Sequence, residues 1–182
     1  MAKKNFLTSK ELKLSNDFKK DGFIIRDVAS SKSLNWIQSK FVSLIKKEFK
    51  LSNNISNIDI LNFTHKKISI SNLNNFRLKI YNSINKEPDY RYHYFQVAKP
   101  FIEALAGNEL AMQKKVNLSI QLPKDDSSLL AVHSDVWAGD SPFEIVVWLP
   151  LVNCFKTKTM YILPPKKNKI FNKKVSKKKY SD

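Results

Sequence analysis

Cysteine and glycine are both scarce in this sequence, which contains one cysteine, Cys154, and three glycines among its 182 residues. A single cysteine cannot form an internal disulfide, so the sequence excludes a disulfide-stabilised scaffold and fits a reducing compartment. No Cys-His motif surrounds Cys154. We therefore predict that Cys154 is a small buried residue at the end of a strand and not a nucleophile.

Long apolar runs are lacking as well. No stretch approaches the roughly 20 consecutive apolar residues that a membrane span requires, and the first residues do not continue into the apolar core of a signal peptide. We therefore expect a cytoplasmic protein without a membrane span. A chain of this length with 42% hydrophobic residues can bury one core. This predicts a single domain over residues 1–165, followed by a lysine-rich tail over residues 166–182.

Acidic residues are few compared with basic ones: 16 Asp and Glu stand against 32 Lys and Arg, which gives a net charge of +16. Such an excess raises the hypothesis of a nucleic-acid partner. However, eight of the lysines lie in the tail, and no recognised nucleic-acid-binding motif accompanies them. We therefore expect no nucleic-acid partner and interpret the tail as a solvated end. An anionic partner such as RNA or an acidic lipid head group is the alternative for the tail.

The first half of the chain has mostly helical patterns. A one-faced amphipathic helix is predicted after Ser30 and Ser31, which can cap it. Its apolar positions recur at spacings of three and four: Leu34, Ile37, Phe41, Leu44, Ile45 and Phe49. Residues 51–75 are predicted to be a loop with weak helical pieces. Other predicted helical regions are a short polar helix or turn over residues 8–20, a helix from Asn75 to near Pro88, and one from about Pro100 to near Gly107.

The second half has patterns typical of strands. Residues 116–122 alternate apolar and polar side chains strictly, as in a half-buried strand. Further short strands are predicted at residues 23–25, 129–132, 143–149 and 160–163. Helices followed by a run of short strands predict an α+β fold, with N-terminal helices packed on a sheet or jelly-roll core.

His133 and Asp135 are the residues that most directly indicate chemistry. They lie two apart at the end of a predicted strand, so both side chains would project from one face and could bind one metal ion. An imidazole and a carboxylate, completed by a second imidazole, form the facial set that binds Fe(II) in many oxygenases. The pair alone also occurs by chance in many chains, so its sequence context decides its weight.

That context resembles the phytanoyl-CoA dioxygenase-like proteins, nearest the branch found in bacterial surface-carbohydrate gene clusters. Residues 18–30 (FKKDGFIIRDVAS) resemble the opening of these proteins, residues 132–139 (VHSDVWAG) their iron-binding strand, and residues 147–153 (VWLPLVN) the next strand. The resemblance covers residues 16–50 loosely and residues 113–165 well.

The resemblance implies a double-stranded β-helix fold for the core. It also implies an Fe(II)- and 2-oxoglutarate-dependent dioxygenase that oxidises, usually by hydroxylation, a small molecule such as a carbohydrate or its precursor. It implies that His133 and Asp135 are metal ligands. It also implies that Asn117 and Gln121 contact 2-oxoglutarate, because the corresponding strand of the family lines the cosubstrate pocket. Trp137, two residues after Asp135, would project on the same side of the strand as the metal pair and form a wall of the substrate pocket. The alternatives are a solvated sheet face for Asn117 and Gln121 and a core-filling role for Trp137.

Two features of the family are missing. Its members carry a second iron-binding His downstream and then an Arg that pairs with the far carboxylate of 2-oxoglutarate, whereas the last His here is His133 and the last Arg is Arg91. His93 and His65 are the upstream substitutes to consider. We expect His93 to be an interfacial or core histidine instead, His65 to be a loop residue, and Arg91 to be a surface or ion-pairing residue. We expect an incomplete oxygenase domain, either truncated or without oxygenase chemistry, and leave enzymatic activity open.

An incomplete domain has two consequences. The alternative function is a non-catalytic remnant with a cupin-like half-barrel that binds a ligand or partner; a basic nucleic-acid binder, suggested by the net charge, is a less favoured alternative. A sheet without its return strands would keep one face uncovered and its edges unpaired, so we also expect self-association through that sheet.

Overall fold

The structure is a computed structural model that describes residues 6–52, 54–126, 129–130 and 132–175. Across these residues the regular secondary structure is entirely helical, with no β-strand. The α-helices are α1 (Ser9–Asp21), α2 (Ser31–Phe49), α3 (Asn57–Phe63), α4 (Ile70–Ile84), α5 (Tyr90–Gln96), α6 (Lys99–Ala106) and α7 (Pro165–Val175), with 3-10 helices at Thr64–Lys67 and Asp135–Ala138. None of the helices in the described part of the chain is both long and apolar enough to cross a membrane.

The chain forms two compact units. The larger, here called the core unit, contains Val28–Lys99 and Ala111–Asn153. The smaller, here called the terminal unit, contains the described residues before Val28, then Pro100–Leu110, and then those from Cys154 onward. Each unit is described by itself below.

Helix α2 supplies one wall of the core unit. Its first turn is capped by Ser30, whose hydroxyl accepts a hydrogen bond from the backbone N–H of Ser33 at 3.2 Å. The predicted apolar stripe is the buried face, and it includes Ile37 and Phe41. The helix ends where Lys50 adopts a left-handed conformation with φ of 49°. The sequence-predicted amphipathic helix is therefore confirmed.

Helix α4 packs against α2 and completes most of the core. Ile84 is fully buried, and Phe76 stacks on Phe49 of α2 with ring centroids 5.2 Å apart. The side chains that share this core are Ile37, Phe41, Val42, Ile45, Ile60, Ile68, Leu73, Phe76, Ile80, Ile84, Tyr90, Val97, Val116 and Leu122. Burial of these aliphatic and aromatic groups is the main source of stability for the core unit.

The region predicted to be a loop, residues 51–75, is more helical than expected in its described part. It contains α3, a 3-10 helix and the first turns of α4. The side chain of Ser56 caps α3 by accepting a hydrogen bond from the backbone N–H of Asp59 at 3.2 Å. Ile60 and Ile68 are buried in the core. Their tertiary burial stabilises short helices that the Asn- and Ser-rich composition alone does not favour.

In the terminal unit, α1 begins with a capping box formed by Thr8 and Glu11. The helix ends at Gly22, which has φ of 78° and lies so close to Pro165 that an added Cβ would be 3.0 Å from its Cγ. Helix α7 starts at that proline, so the first part of the predicted solvated tail is a helix. Residues 176–182 of the tail lie outside the described residues.

The predicted α+β fold is wrong for the described residues, because none of the expected strands forms there. Residues 116–122 form no strand, but their side chains alternate in burial as they would along an extended chain: Val116 and Leu122 are buried while Asn117 and Gln121 are exposed. However, this segment pairs with helix side chains and not with another strand. The guanidinium of Arg77 on α4, for example, donates to the backbone carbonyl of Ile120 at 3.0 Å.

The other predicted strands are also irregular or extended without pairing where they are described. Within residues 143–149, the carbonyl of Val147 accepts a hydrogen bond from the hydroxyl of Tyr94 at 2.6 Å. Farther along, Gln38 of α2 donates to the carbonyl of Leu151 at 3.2 Å. In the predicted strand 129–132, residue 131 lies outside the described residues and the others are exposed.

The double-stranded β-helix or jelly-roll core is therefore replaced, in the described part of the chain, by helices that carry extended segments on their surface. The cupin-like half-barrel is wrong for the same reason. The sheet on which the expected self-association depended is likewise not formed by the described residues. An apolar–polar alternation predicts which side chains face the core. It does not predict whether they pack on a helix or on a second sheet.

Candidate metal site

His133 and Asp135 come together at the start of a short turn in the core unit. Ser134 between them is extended, and Asp135 is the first residue of the 3-10 helix Asp135–Ala138. The Nε2 atom of His133 lies 3.6 Å from Oδ1 of Asp135, and each side chain is 50% exposed. The predicted convergence of the two side chains is therefore present: the extended Ser134 places its two neighbours on one side, although the segment belongs to no strand.

Backbone hydrogen bonds hold the turn that carries Asp135. The N–H of Trp137 donates to the carbonyl of Ser134 at 2.8 Å, and the N–H of Asp140 donates to the carbonyl of Asp135 at 3.2 Å. Gly139 ends the turn with φ of 98°, a conformation that glycine adopts without the steric strain of a side chain. The local sequence Asp-Val-Trp-Ala-Gly thus sets the position of the Asp135 carboxylate relative to His133.

The pair fits two neighbouring positions around a divalent metal ion. With metal–ligand distances of about 2.1 Å, adjacent octahedral ligands lie about 3.0 Å apart. The observed 3.6 Å separation between His133 Nε2 and Asp135 Oδ1 needs only a small rotation of exposed side chains to reach that value. A complete facial triad is a different matter: the described residues contain no group of three or more His, Cys, Asp or Glu side chains placed to hold a metal ion.

His93, the first upstream substitute for a third ligand, is engaged in packing on α2. Its Nδ1 lies 3.0 Å from the hydroxyl of Ser33, and its ring stacks on Trp36 with centroids 4.3 Å apart. The edge of the ring also meets Tyr92 at 5.2 Å. These contacts match the sequence-based alternative that His93 is an interfacial or core histidine.

His65 and two of the arginines have hydrogen-bond partners as well. The Nδ1 of His65 lies 2.9 Å from the carbonyl of Asn62 in the preceding helix. Arg91 is exposed, which agrees with the expected surface or ion-pairing residue, and it donates to the carbonyl of Met112 at 2.9 Å. Sequence reasoning assigned no role to Arg77 and did not foresee either arginine as a clamp on extended backbone. No periodic pattern marks a hydrogen bond to a carbonyl more than twenty residues away.

Asn117, Gln121 and Trp137 are the other predicted site residues, and all three side chains are exposed. Asn117 and Gln121 share the outward face of the extended segment 116–122, as their two-residue periodicity predicts. Trp137 was expected on the same side as Asp135 because alternate residues of a strand share a face. In a 3-10 helix with about three residues per turn, side chains two apart point in different directions, so that reason does not hold. Its role in a substrate pocket stays a prediction.

Cys154 is exposed and not buried at a strand end, so the prediction for its environment is wrong. The strand expected before it is extended without pairing, and the side chain therefore has no sheet to pack into.

Comparison with protein-family models, curated proteins and solved structures finds no match to this chain. The resemblance to phytanoyl-CoA dioxygenase-like proteins therefore rests on the sequence segments quoted above.

Proposed function

We propose that this chain is an Fe(II)- and 2-oxoglutarate-dependent dioxygenase-like protein in which His133 and Asp135 bind the metal ion. The observation that carries the proposal is the 3.6 Å approach of His133 Nε2 to Asp135 Oδ1 at an exposed turn. An imidazole nitrogen with a carboxylate oxygen is a donor set that suits Fe(II), Mn(II) and Zn(II) better than it suits Ca(II). Metal binding requires only that these two atoms converge, and it does not depend on the β-helix that the sequence wrongly predicted.

The two ligands have separate tasks. The Asp135 carboxylate supplies negative charge that offsets part of the charge of the ion. The turn Asp135–Ala138 fixes the backbone position from which this side chain extends. The neutral His133 ring supplies a nitrogen donor. Because both side chains are half exposed, the ion can enter directly from solvent. Two protein ligands leave several coordination positions for a chelating cosubstrate and water.

The cosubstrate in this proposal is 2-oxoglutarate. Together with Fe(II) it would allow dioxygen to oxidise a C–H bond of the substrate. Asn117 and Gln121 are the proposed contacts, because their amide N–H groups can donate to its carboxylate oxygens. The substrate proposed is a small molecule such as a carbohydrate or its precursor. That substrate class is supported by the family resemblance alone. Trp137 is assigned to its pocket because it lies in the same 3-10 helix as Asp135.

Isothermal titration with Mn(II) as a stand-in for Fe(II) tests metal binding directly. We expect binding to the wild-type chain that becomes tighter when 2-oxoglutarate is present, since the cosubstrate would chelate the same ion. His133→Ala and Asp135→Asn should each weaken binding by about ten- to a hundredfold, because each removes one of two protein ligands.

Two matched variants control for general effects of losing a histidine or a carboxylate. His65→Ala removes another half-buried histidine, and Asp140→Asn removes an exposed carboxylate near the same turn. Both should bind Mn(II) as the wild type does. Equal Mn(II) affinity in wild type and His133→Ala would overturn the proposed site.

A second candidate function is a non-catalytic module that binds a metal ion or ligand without oxidation. It is favoured by the bonding of all three arginines: Arg77 and Arg91 donate to backbone carbonyls, and Arg26 lies 3.4 Å from Asp17. No guanidinium is thus held ready for the far carboxylate of 2-oxoglutarate. Formation of succinate from 2-oxoglutarate in the presence of Fe(II) would favour the dioxygenase, and Mn(II) binding without any effect of 2-oxoglutarate would favour the non-catalytic module.

A further inference from the structure

Residues 155–173 of the terminal unit combine exposed apolar side chains with lysines. Their sequence contains six lysines and no Asp or Glu. All six lysines are exposed: Lys156, Lys158, Lys166, Lys167, Lys169 and Lys173. The same stretch exposes large apolar or aromatic side chains: Phe155, Met160, Tyr161, Ile162, Leu163 and Ile170. We call residues 155–173 the basic apolar segment.

Helix α7 places the two kinds of side chain next to each other. Ile170, which is 60% exposed, is four residues from Lys166 and three from Lys167 and Lys173. Side chains three or four apart share a face of an α-helix. Ile170 is therefore surrounded by lysines on an exposed face of α7, an arrangement that burial in a protein core does not explain.

The start of α7 is anchored within the terminal unit. The N–H of Asn168 donates to the carbonyl of Pro164 at 2.9 Å, and Pro165 packs beside Gly22 at the end of α1. Proline at the first position of a helix has a backbone angle that favours helix initiation. The helix therefore begins at a defined place, and the apolar residues 160–163 lie immediately before it.

We propose that the basic apolar segment binds the surface of a membrane that contains anionic phospholipids. Lysines attract the lipid phosphates, while neighbouring aromatic and aliphatic side chains enter the boundary between head groups and acyl chains. Lysine suits this position because its aliphatic stem can lie against apolar groups while its ammonium stays in contact with water and phosphate. Lysines on both sides of the apolar residues 160–163, with no acidic residue in the segment, complement such a surface.

A nucleic acid shares the phosphate chemistry but fits the apolar side chains less well. Single-stranded nucleic acids bind through cationic grooves and stacking on aromatic rings. Four of the six exposed apolar residues are aliphatic, namely Met160, Ile162, Leu163 and Ile170, and these would remain in water beside a phosphate backbone. A lipid interface removes the same groups from water and so stabilises the bound state.

Vesicle co-sedimentation of the full chain tests this interaction. Vesicles of phosphatidylcholine alone are compared with vesicles that also contain phosphatidylglycerol, at low and at raised salt. We expect about tenfold or more binding in favour of the anionic vesicles and a decrease with salt. The charge variant replaces Lys166, Lys167, Lys169 and Lys173 with Gln, and it should lose most of the binding.

The apolar contribution is tested by the double variant Ile162→Ser with Ile170→Ser, which leaves every lysine in place. We expect a several-fold loss of vesicle binding from it, because two interfacial side chains are removed. Circular dichroism shows whether each variant keeps the helical content of the wild type.

Two matched controls should bind vesicles as the wild type does. One replaces four exposed lysines from elsewhere in the chain, Lys13, Lys47, Lys67 and Lys86, with Gln. The other is Leu78→Ser, which removes an exposed aliphatic side chain from α4. Absence of binding to anionic vesicles at low salt, or equal losses in the charge variant and its control, would overturn the proposal. Vesicle binding unchanged by the Ile162 and Ile170 substitutions, together with RNA binding by the same double variant, would point to a nucleic-acid partner instead.

Discussion

The side-chain amide of Asn85 pairs with both backbone polar groups of Val116. Asn85 Nδ2 donates to the Val116 carbonyl at 3.1 Å, and the Val116 N–H donates to Asn85 Oδ1 at 2.8 Å. This pattern is the one that a neighbouring strand would provide to a residue in a sheet. Asn85 also donates to the carbonyl of Tyr81 at the end of α4. One side chain thus joins the end of a helix to an extended segment that the sequence assigned to a sheet.

Asn85→Ala is expected to destabilise the core unit by about 1–3 kcal/mol, because it leaves the N–H of buried Val116 without its partner. Urea denaturation followed by circular dichroism measures the change in the free energy of unfolding. Asn75→Ala removes an exposed amide from the same helix and should change that free energy by less than about 0.5 kcal/mol. Equal effects of the two substitutions would show that the Asn85–Val116 pairing does not stabilise the protein.

Ile84→Ala tests the core between α2 and α4. The side chain of Ile84 is completely buried, so truncation removes apolar contacts and leaves a cavity. We expect a loss of about 2–5 kcal/mol in the free energy of unfolding. Leu78→Ala on the exposed side of the same helix is the control, and it should have a small effect. A loss below about 1 kcal/mol for Ile84→Ala would contradict the placement of α4 in the core.

The helices of the first half could be predicted from sequence because their signals are local. Apolar residues spaced three and four apart determine the buried face of α2, and Ser30 supplies its cap within three residues. Gly107, with φ of 88°, marks the end of α6 close to the predicted position. The short helix α3 was missed because Ile60 becomes buried only through contacts with distant parts of the chain.

The sequence alone could not show that the predicted strands are not formed in the described part of the chain. The helix side chains that bind these segments instead lie far away along the chain. Alternation in residues 116–122 predicts an extended, half-buried segment, and that much is present. Whether the segment pairs with a strand or rests on helices depends on side chains such as Asn85 and Arg77, which lie 31 and 43 residues away from the atoms they bind. Neither residue carries a local signal for such a bond.

Tyr94 connects α5 to the extended segment 143–149 through its hydrogen bond to the carbonyl of Val147. Tyr94→Phe is expected to lower the free energy of unfolding by about 0.5–1.5 kcal/mol at neutral pH, because the carbonyl loses its donor. Tyr92→Phe alters an exposed tyrosine of the same helix and serves as the control.

The contribution of Tyr94 to the stability of the folded state should decrease at alkaline pH. Burial raises the pKa of the Tyr94 hydroxyl to about 12. In the unfolded chain, tyrosine has its usual pKa of about 10. The folded state therefore holds this proton more tightly, so the stabilisation is complete below the unfolded pKa and is lost as the pH rises through the folded pKa. The difference in stability between wild type and Tyr94→Phe should shrink above pH values of about 10. A difference that stays constant to higher pH would contradict this.

The pKa of the Glu11 carboxyl at the start of α1 should lie below its usual value. The hydroxyl and backbone N–H of Thr8 each donate to Oε2 of Glu11 at 2.7 Å, and these bonds lower the pKa of the Glu11 carboxyl. The resulting stabilisation is present above the unfolded pKa and is lost as the pH falls through the lower folded pKa. Titration by NMR should show the pKa of Glu11 rising in Thr8→Ala and staying unchanged in Ser9→Ala. An unchanged pKa in Thr8→Ala would contradict the capping box.

In the candidate site, as in the fold, the features with a local signal could be predicted and those that depend on distant residues could not. The approach of His133 to Asp135 could be predicted because Ser134 between them is extended, as the strand pattern requires, and so keeps the two side chains on one side. The placement of Trp137 depended on strand periodicity, which a 3-10 helix does not share. Likewise, the packing of His93 against Ser33 and Trp36 becomes visible only when α5 lies against α2.

Paramagnetic broadening by Mn(II) in a two-dimensional NMR spectrum of the full chain tests most directly whether His133 and Asp135 form a metal site. At substoichiometric Mn(II), the account predicts loss of the amide signals of residues 132–140 before those near His65 and His93, with no such selectivity in His133→Ala. Broadening centred on His65 or His93, or the same pattern in wild type and His133→Ala, would contradict it.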